Sequence, residues 1–266
     1  PENHQSLIHI VNYNDLESVS YVVKRYPVAC IILEPVLQNI GVVKPEEGYL
    51  QGLRTLADKH GFLLVFDEVK TGFRHALGGY QSICGVVPDL STFGKAVANG
   101  YPMGVLAGKK IYMDYFIHPE KSKRTLVAGT YNAHPLVTTA GIATLKKLTS
   151  TRYNVYEHVY ELGRILEEGL TDIFSKYDEP FHISRIGSAF CVYFMDHAPR
   201  DFHDIAIHHN FTLDKTYRLK LIEAGIFIFP LPVKQGSISF AHSIPDIEET
   251  LDKTRSIVQS VFIKKN

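Results

Sequence analysis

The chain has 266 residues, 45% hydrophobic and 21% charged, the balance of a soluble globular protein long enough for one large domain or two ordinary ones. Lysine plus arginine and aspartate plus glutamate stand at 28 each, so no basic field argues for nucleic acid or an anionic membrane surface. No apolar run approaches the ~20 residues that span a bilayer. Cys30, Cys84 and Cys191 are far apart, which is neither a disulfide framework nor a zinc pattern. Reduced core thiols in a cytoplasmic protein are the expectation.

In chain order, Leu16, Val19, Val23 and Tyr26 recur at helical spacing, and Asn14 with Glu17 reads as a capping-box start, so a helix is predicted over 14–26 and ended by Pro27. Val28 to Leu33 is a continuous apolar run of strand length, closed by Glu34-Pro35. A helix follows over 47–60 with Leu50, Leu53 and Ala57 on one face and Gly61 as its C-cap. Phe62 to Phe66 is the next buried strand, and Leu90 to Phe93 a shorter one. Strand, helix, strand in this order implies a right-handed crossover in a parallel sheet. Glu34 and Asp67, at the ends of two such strands, then converge on the sheet edge where doubly wound folds bind ligands. Residues 135–148 read as a long helix leaving this domain. Beyond it come a helix over 155–175, a strand over 188–194, a helix near 215–224, short strands at 226–229 and 237–241, and a helix over 245–262 with Ser243 and Asp246 as its capping box. The organisation expected is a domain over 1–148 and a smaller α+β domain over 149–266, an α/β fold in all.

Two side chains carry chemistry. Asp67 ends an apolar strand, and Lys95 sits between Gly94 and Ala96 in a small-residue turn after another. A buried carboxylate without a partner is costly, so Asp67 either caps backbone amides or meets a cation. An isolated amine in a tight turn, facing a strand-end acid, suits pyridoxal 5'-phosphate: the amine forms a Schiff base with the aldehyde, and the acid keeps the pyridine nitrogen protonated. Lys95 desolvated beside such a ring would then serve as general base. His203, His208 and His209 lack the spacing of a helical zinc pair and no HExxH occurs, so a solvated polar helix face is expected and no metal is assigned. Neither GxGxxG nor a Walker loop supports nucleotide binding.

The words around these residues are EPVLQNIGVVKPEEGYL from Glu34, FDEVKTGFR from Phe66, GGYQ from Gly78, GVVPDLSTFGK from Gly85 and AGTYNAHPLVTTAG from Ala128. In this colinear order they resemble the class III, fold-type I aminotransferases, and within them the glutamate-1-semialdehyde 2,1-aminomutase branch. The resemblance implies the later part of the large, mostly parallel-sheet domain followed by a small C-terminal domain. It implies amino transfer between a small-molecule donor and a carbonyl acceptor, with Lys95 and Asp67 catalytic and Val69 packed on the ring face. Asn39 lies near the cofactor's phenolic oxygen, with Glu34 in support. Gly129 and Thr130 reach the phosphate of a neighbouring subunit, which requires at least a homodimer with shared active sites. The family's N-terminal region, with its phosphate turn and its ring-stacking aromatic, is not found here; a fragment, or a separate chain supplying that half, is the expectation. The alternatives are a non-catalytic half-site subunit of a two-chain assembly, and a racemase or epimerase using the same lysine. The departures are His134 for Asn, Lys70 for Met, and Lys234 where aminomutases carry a glutamate. Lys234 is read either as a substrate-carboxylate contact or as a solvated loop lysine.

Overall fold

A computed structural model of the chain describes residues 2–262. It divides into two compact units: residues up to Pro35 together with Pro45–Thr149, and Val36–Lys44 together with the chain from Ser150 onward. The short segment Val36–Lys44, which the sequence places in the first domain, therefore belongs to the second unit.

The first unit is built on a four-stranded sheet in the order β1 (Cys30–Leu33), β2 (Leu63–Glu68), β3 (Leu90–Phe93) and β4 (Val105–Gly108). The first three strands are parallel and β4 is antiparallel. The helix Tyr49–His60 makes the crossover between β1 and β2, buries Leu50, Leu53 and Ala57, and ends at Gly61 in the left-handed conformation (φ 75°). The register sets Leu33 opposite Phe66 and Asp67 opposite Thr92. The C-terminal ends of all three parallel strands thus lie side by side.

Three expectations change here. The helix before β1 spans only Leu16–Val23 and is capped by Asp15, whose Oδ1 accepts from the Ser18 amide at 3.0 Å. Asn14 instead takes positive φ and accepts from the Glu46 amide at 2.8 Å. β1 is not fully buried: it lies at the end of the strand order, with Cys30 exposed and Ile32 62% exposed. Cys191 alone of the three cysteines is a buried thiol. The antiparallel β4 was not predicted, because VLAG is short and lacks a strand-like flank.

Asp89 locks β2, β3 and β4 together at the opposite sheet edge. Its side chain is buried and accepts from the Leu64 amide (2.8 Å), Arg54 Nη1 (2.8 Å) and Lys109 Nζ (2.7 Å). Burial alone would raise its pKa, but the bonds from Lys109, Leu64 and Arg54 bring it below the usual aspartate value. Its stabilising contribution is therefore complete above the unfolded pKa of 3.8 and is lost as pH falls below it. Asp89→Ala, which leaves Lys109 and the buried Leu64 amide without their acceptor and Arg54 with Asp58 alone, is expected to cost about 2 kcal/mol in urea unfolding. A loss under 1 kcal/mol would mean that water replaces the carboxylate.

The second unit holds an antiparallel sheet in the order β5 (His182–Ile186), β6 (Ala189–Tyr193) and β7 (Gly236–Ser237). Helices Val155–Phe174, Phe211–Glu223 and Ile244–Val261 complete its core. Leu162, Leu166 and Leu170 recur every fourth residue along the first of these helices and lead to Phe174, whose ring meets Phe181, Phe194, Tyr217 and Phe262 at 5.5–5.7 Å. The last helix starts at the predicted capping box, with Asp246 accepting from the Ser243 amide at 2.7 Å. Residues 226–229, predicted as a strand, are irregular and leave Phe227 87% exposed. β5 lies outside the predicted strands, since HISRI has no clean apolar period, and the helix Phe202–His208 carries His203 and His208 of the expected polar helix face. Among the described residues no helix is long and apolar enough to cross a membrane.

Candidate active site

At the C-terminal edge of the first unit's sheet, Glu34 follows β1, Asp67 lies near the end of β2, and Gly94-Lys95 follow β3. Asp67 is half-buried. Its Oδ1 accepts from the Val69 amide at 3.0 Å and from Thr92 Oγ1 at 3.5 Å. Among the described residues its Oδ2 accepts nothing, so one face of this carboxylate is capped and the other can take an N–H from a ligand.

Lys95 opens a 3₁₀ turn, Lys95–Ala98, with φ at 46°. A non-glycine residue in the left-handed region costs of order 1 kcal/mol or more, and such strain collects where a side chain must be aimed. The expectation that Lys95 is desolvated is not met within this chain: the side chain is exposed and makes no hydrogen bond or ion pair with the described residues. It lines a cleft of about 550 Å³ together with Arg74, Asn99 and Tyr101. Val69 borders the same turn: a Cβ placed on Gly94 would stand 3.2 Å from Val69 Cγ1. The sequence places Asp67, Val69 and Lys95 together, and the structure does the same within this unit.

Sequence reasoning reads Glu68 as structural but misses the contacts through which it holds the turn after β2. Glu68 is fully buried and accepts from Thr71 Oγ1 (3.0 Å), the Tyr80 amide (2.6 Å) and Gln81 Nε2 (3.2 Å). It ties the FDEVKTGFR segment to Tyr80-Gln81, so its role is structural. Arg74, also missed, donates from Nε to the Lys70 carbonyl at 3.0 Å. His75 is buried, and burial first, then the neighbouring Arg74 charge, pushes its pKa down to about 3. A base whose folded pKa lies below its unfolded value of 6.5 takes up its proton on unfolding as the medium is acidified. Stability should therefore fall as pH drops from about 6.5 toward 3, by up to roughly 1.4 kcal/mol per pH unit. His75→Gln is expected to flatten this acid slope of Tm; an unchanged slope would assign the loss to the carboxylates.

Gly129 and Thr130 lie in an exposed loop, where Asn132 N donates to Gly129 O at 3.1 Å. Nothing in the described residues brings them to Lys95. Asn39 and Lys234 both belong to the second unit, and there they meet: Lys234 Nζ donates to the Asn39 carbonyl at 2.8 Å. The loop bearing Asn39 is closed by paired bonds between Leu37 and Val43 (3.0 and 2.9 Å). Tyr193 Oη pins it, accepting from the Val42 amide at 2.7 Å and donating to Ile40 O at 2.8 Å. Gly41, at φ 98°, is required there, since a Cβ would meet Tyr193 Oη at 2.0 Å. The residue before Lys234, Val233, is held through its amide by Asp214 Oδ2 at 2.7 Å, and Asp214 also takes Arg218 Nε at 2.6 Å and His209 Nε2 at 3.1 Å. All three of these side chains are buried, so His209 is not on the solvated face the sequence suggests. The only sequence signal for this cluster is the i, i+4 spacing of Asp214 and Arg218.

The family model for "Aminotransferase class-III" matches residues 3–257. Glutamate-1-semialdehyde 2,1-aminomutase of Sulfurihydrogenibium azorense is 39% identical over 257 residues, covering 96% of this chain and 59% of that protein. Among solved structures, an omega-transaminase from Sphaerobacter thermophilus superposes with a TM-score of 0.90 at 25% identity, over 98% of this chain and 59% of that one. A transaminase with PLP bound gives 0.85 at 27% identity, again over 98% and 59%. The chain thus spans a little under three-fifths of the length of these relatives.

Proposed function

Because this chain belongs to the class III aminotransferase family, we propose that the complete protein transfers amino groups with pyridoxal 5'-phosphate, in the manner of glutamate-1-semialdehyde 2,1-aminomutase. The observation that carries this reading is that Asp67, near the end of β2, and Lys95, just past β3, stand at the same edge of two adjacent parallel strands, Asp67 Oδ2 and Lys95 Nζ being bonded to no described residue and Lys95 lining a cleft. The residues present fit the cofactor: a half-capped carboxylate for a protonated ring nitrogen, an uncommitted amine for an aldehyde, and a branched side chain, Val69, bordering both. When bound, the cofactor supplies a carbonyl that carries the amino group and a ring that withdraws electrons from the substrate Cα.

The chain's own residues do the rest. Asp67 would hold the proton of a pyridine nitrogen through Oδ2, its Oδ1 being fixed by the Val69 amide and Thr92. Lys95 Nζ would hold the cofactor and, once freed by the substrate amine, would carry the substrate Cα proton. Val69 would pack beside the ring. Glu34, Gly129 and Thr130 are assigned the cofactor-binding roles the resemblance implies.

The domain assignment is part of the same reading: a large cofactor-binding domain and a small C-terminal one. A homodimer sharing its active sites is supported by the apolar side chains around Gly129-Thr130, where Leu126 is 86%, Val127 59% and Tyr131 79% exposed. Three free cysteines suit the cytoplasm. The half-site alternative rests on the exposed Lys95 and the incomplete span. A spectrum separates the two: the complete protein mixed with pyridoxal phosphate should turn yellow, and excess amino donor should bleach it. A preparation that stays colourless supports a non-catalytic subunit.

Lys234 already donates to Asn39 O, which favours a loop clasp over a substrate contact. Lys234→Met should leave the KM for carboxylate substrates unchanged and lower stability by about 1 kcal/mol. A rise in KM confined to carboxylate substrates would assign the amine to substrate instead.

A further inference from the structure

A cluster in the second unit is left unused by the amino-transfer chemistry. His197 follows β6, while Asp204 and His208 stand one helical turn apart on Phe202–His208. Asp204 Oδ1 is 2.9 Å from His197 Nε2 and 2.9 Å from His208 Nδ1, and the three ligating atoms lie within 4.8 Å of one another. On the other side of its ring, His197 Nδ1 is 2.6 Å from Asp196 Oδ1. Asp204 Oδ2 accepts the Arg200 amide at 2.9 Å, which fixes this carboxylate from the loop, and the Asp204 amide donates to Asp201 Oδ1 at 2.8 Å, which caps the helix that carries it.

His197 faces a carboxylate oxygen from each ring nitrogen, Asp196 Oδ1 from Nδ1 and Asp204 Oδ1 from Nε2. A carboxylate on the far nitrogen of a ligating histidine fixes its tautomer and raises its basicity, so Asp196 would leave Nε2 to take an ion. His208 Nδ1 also lies 3.1 Å from the Asp204 carbonyl, and its ring turns from that oxygen to take the ion.

Dimensions agree. Zinc–nitrogen and zinc–oxygen bonds near 2.1 Å put tetrahedral ligand atoms roughly 3.4 Å apart. The two nitrogen–oxygen distances are shorter than this by about half an ångström, a gap that small side-chain rotations open. Both rings are partly exposed, His197 at 42% and His208 at 49%, so a cation reaches them from solvent. Imidazole with carboxylate suits zinc and its first-row neighbours rather than magnesium or calcium.

We propose that His197, Asp204 and His208 form a divalent transition-metal site of the zinc type, with Asp196 orienting His197 and a fourth position open to water. A metal there joins the 196–201 loop to the helix that follows it. The site is independent of the amino-transfer reading.

The test is titration of the chelator-treated complete protein with zinc chloride by calorimetry, and with cobalt(II) by visible absorption. Expected are one saturable site per chain, the intense visible bands of four-coordinate cobalt, and a rise in Tm with zinc that magnesium does not give. His197→Gln and His208→Gln should each abolish the site, and Asp196→Asn should weaken it ~10–100-fold. No saturable binding in the unmutated protein overturns the proposal. So does binding that survives both histidine substitutions, which would place the ion elsewhere. The cobalt spectrum is read on the unmutated protein, so the test stands even where a variant folds poorly.

Discussion

Lys95→Ala in the complete protein is expected to lower the amino-transfer rate by at least ~10²–10⁴-fold, the span a positioned general acid–base group contributes. Among the described residues nothing nearby takes its place. The Lys95 amine is bonded to no described residue, and the next cation lining the cleft, Arg74, stays protonated and cannot collect a Cα proton. Stability should move little, because an exposed side chain is removed and no packing is lost. One backbone effect remains: the φ of 46° at this position is strained for alanine as it is for lysine. The decisive signature is in the steps. A variant that still takes up the cofactor but no longer exchanges the substrate Cα hydrogen for solvent deuterium has lost the proton carrier. One that exchanges it at the normal rate would remove Lys95 from the chemistry.

Asp67→Asn separates the backbone cap seen in the structure from the cofactor contact proposed for the same side chain. Oδ1 caps the Val69 amide, and an asparagine oxygen can do the same, so the unfolding free energy should change by less than about 1 kcal/mol. Oδ2 is the open oxygen, and an amide there offers a ring nitrogen no negative charge. The amino-transfer rate should fall by about 10²–10³-fold, as when one preorganised electrostatic contact is deleted, and cofactor release should speed up. Asp67→Ala, which also uncaps Val69, should lose stability in addition. If the asparagine variant keeps full activity, Asp67 is a strand-end cap and nothing more.

Asp67 and Lys95 were legible because each terminates an apolar run of strand length, and a parallel crossover brings such ends together whatever the intervening residues are. The helices at 49–60 and 135–148 were legible through their period and their end signals, Gly61 and Pro135. Boundaries that depend on one hydrogen bond were not: Asp15 rather than Asn14 caps the first helix, because Asn14 is engaged by the Glu46 amide. β1 reads as buried from its composition, yet Cys30 and Ile32 are exposed, since burial depends on neighbours that a local pattern does not contain. Lys95 was read as desolvated for the same reason.

The candidate site shows a like division. Lys234 and Asn39 were named separately, one for its departure from the family pattern and one for its match to it. That Lys234 Nζ bonds the Asn39 carbonyl is a contact between residues 195 apart in sequence, which no periodicity reports. Asp214, which holds Val233 and so sets up that loop, has no apolar pattern at all around its buried charge. The sequence puts the histidines near 203–209 on one solvated face, but the helix ends at His208, which bonds Asp204, and His209 leaves it in an extended conformation that turns its ring inward to Asp214.

The most direct measurement is borohydride reduction of the complete protein after incubation with pyridoxal phosphate, followed by peptide mapping. The expected result is the reduced cofactor joined through a secondary amine to Lys95 Nζ, and its absence from that peptide when Asp67→Asn or excess amino donor releases the cofactor beforehand. A reduced adduct on some other lysine, or none in a protein that nevertheless transfers amino groups, would contradict it.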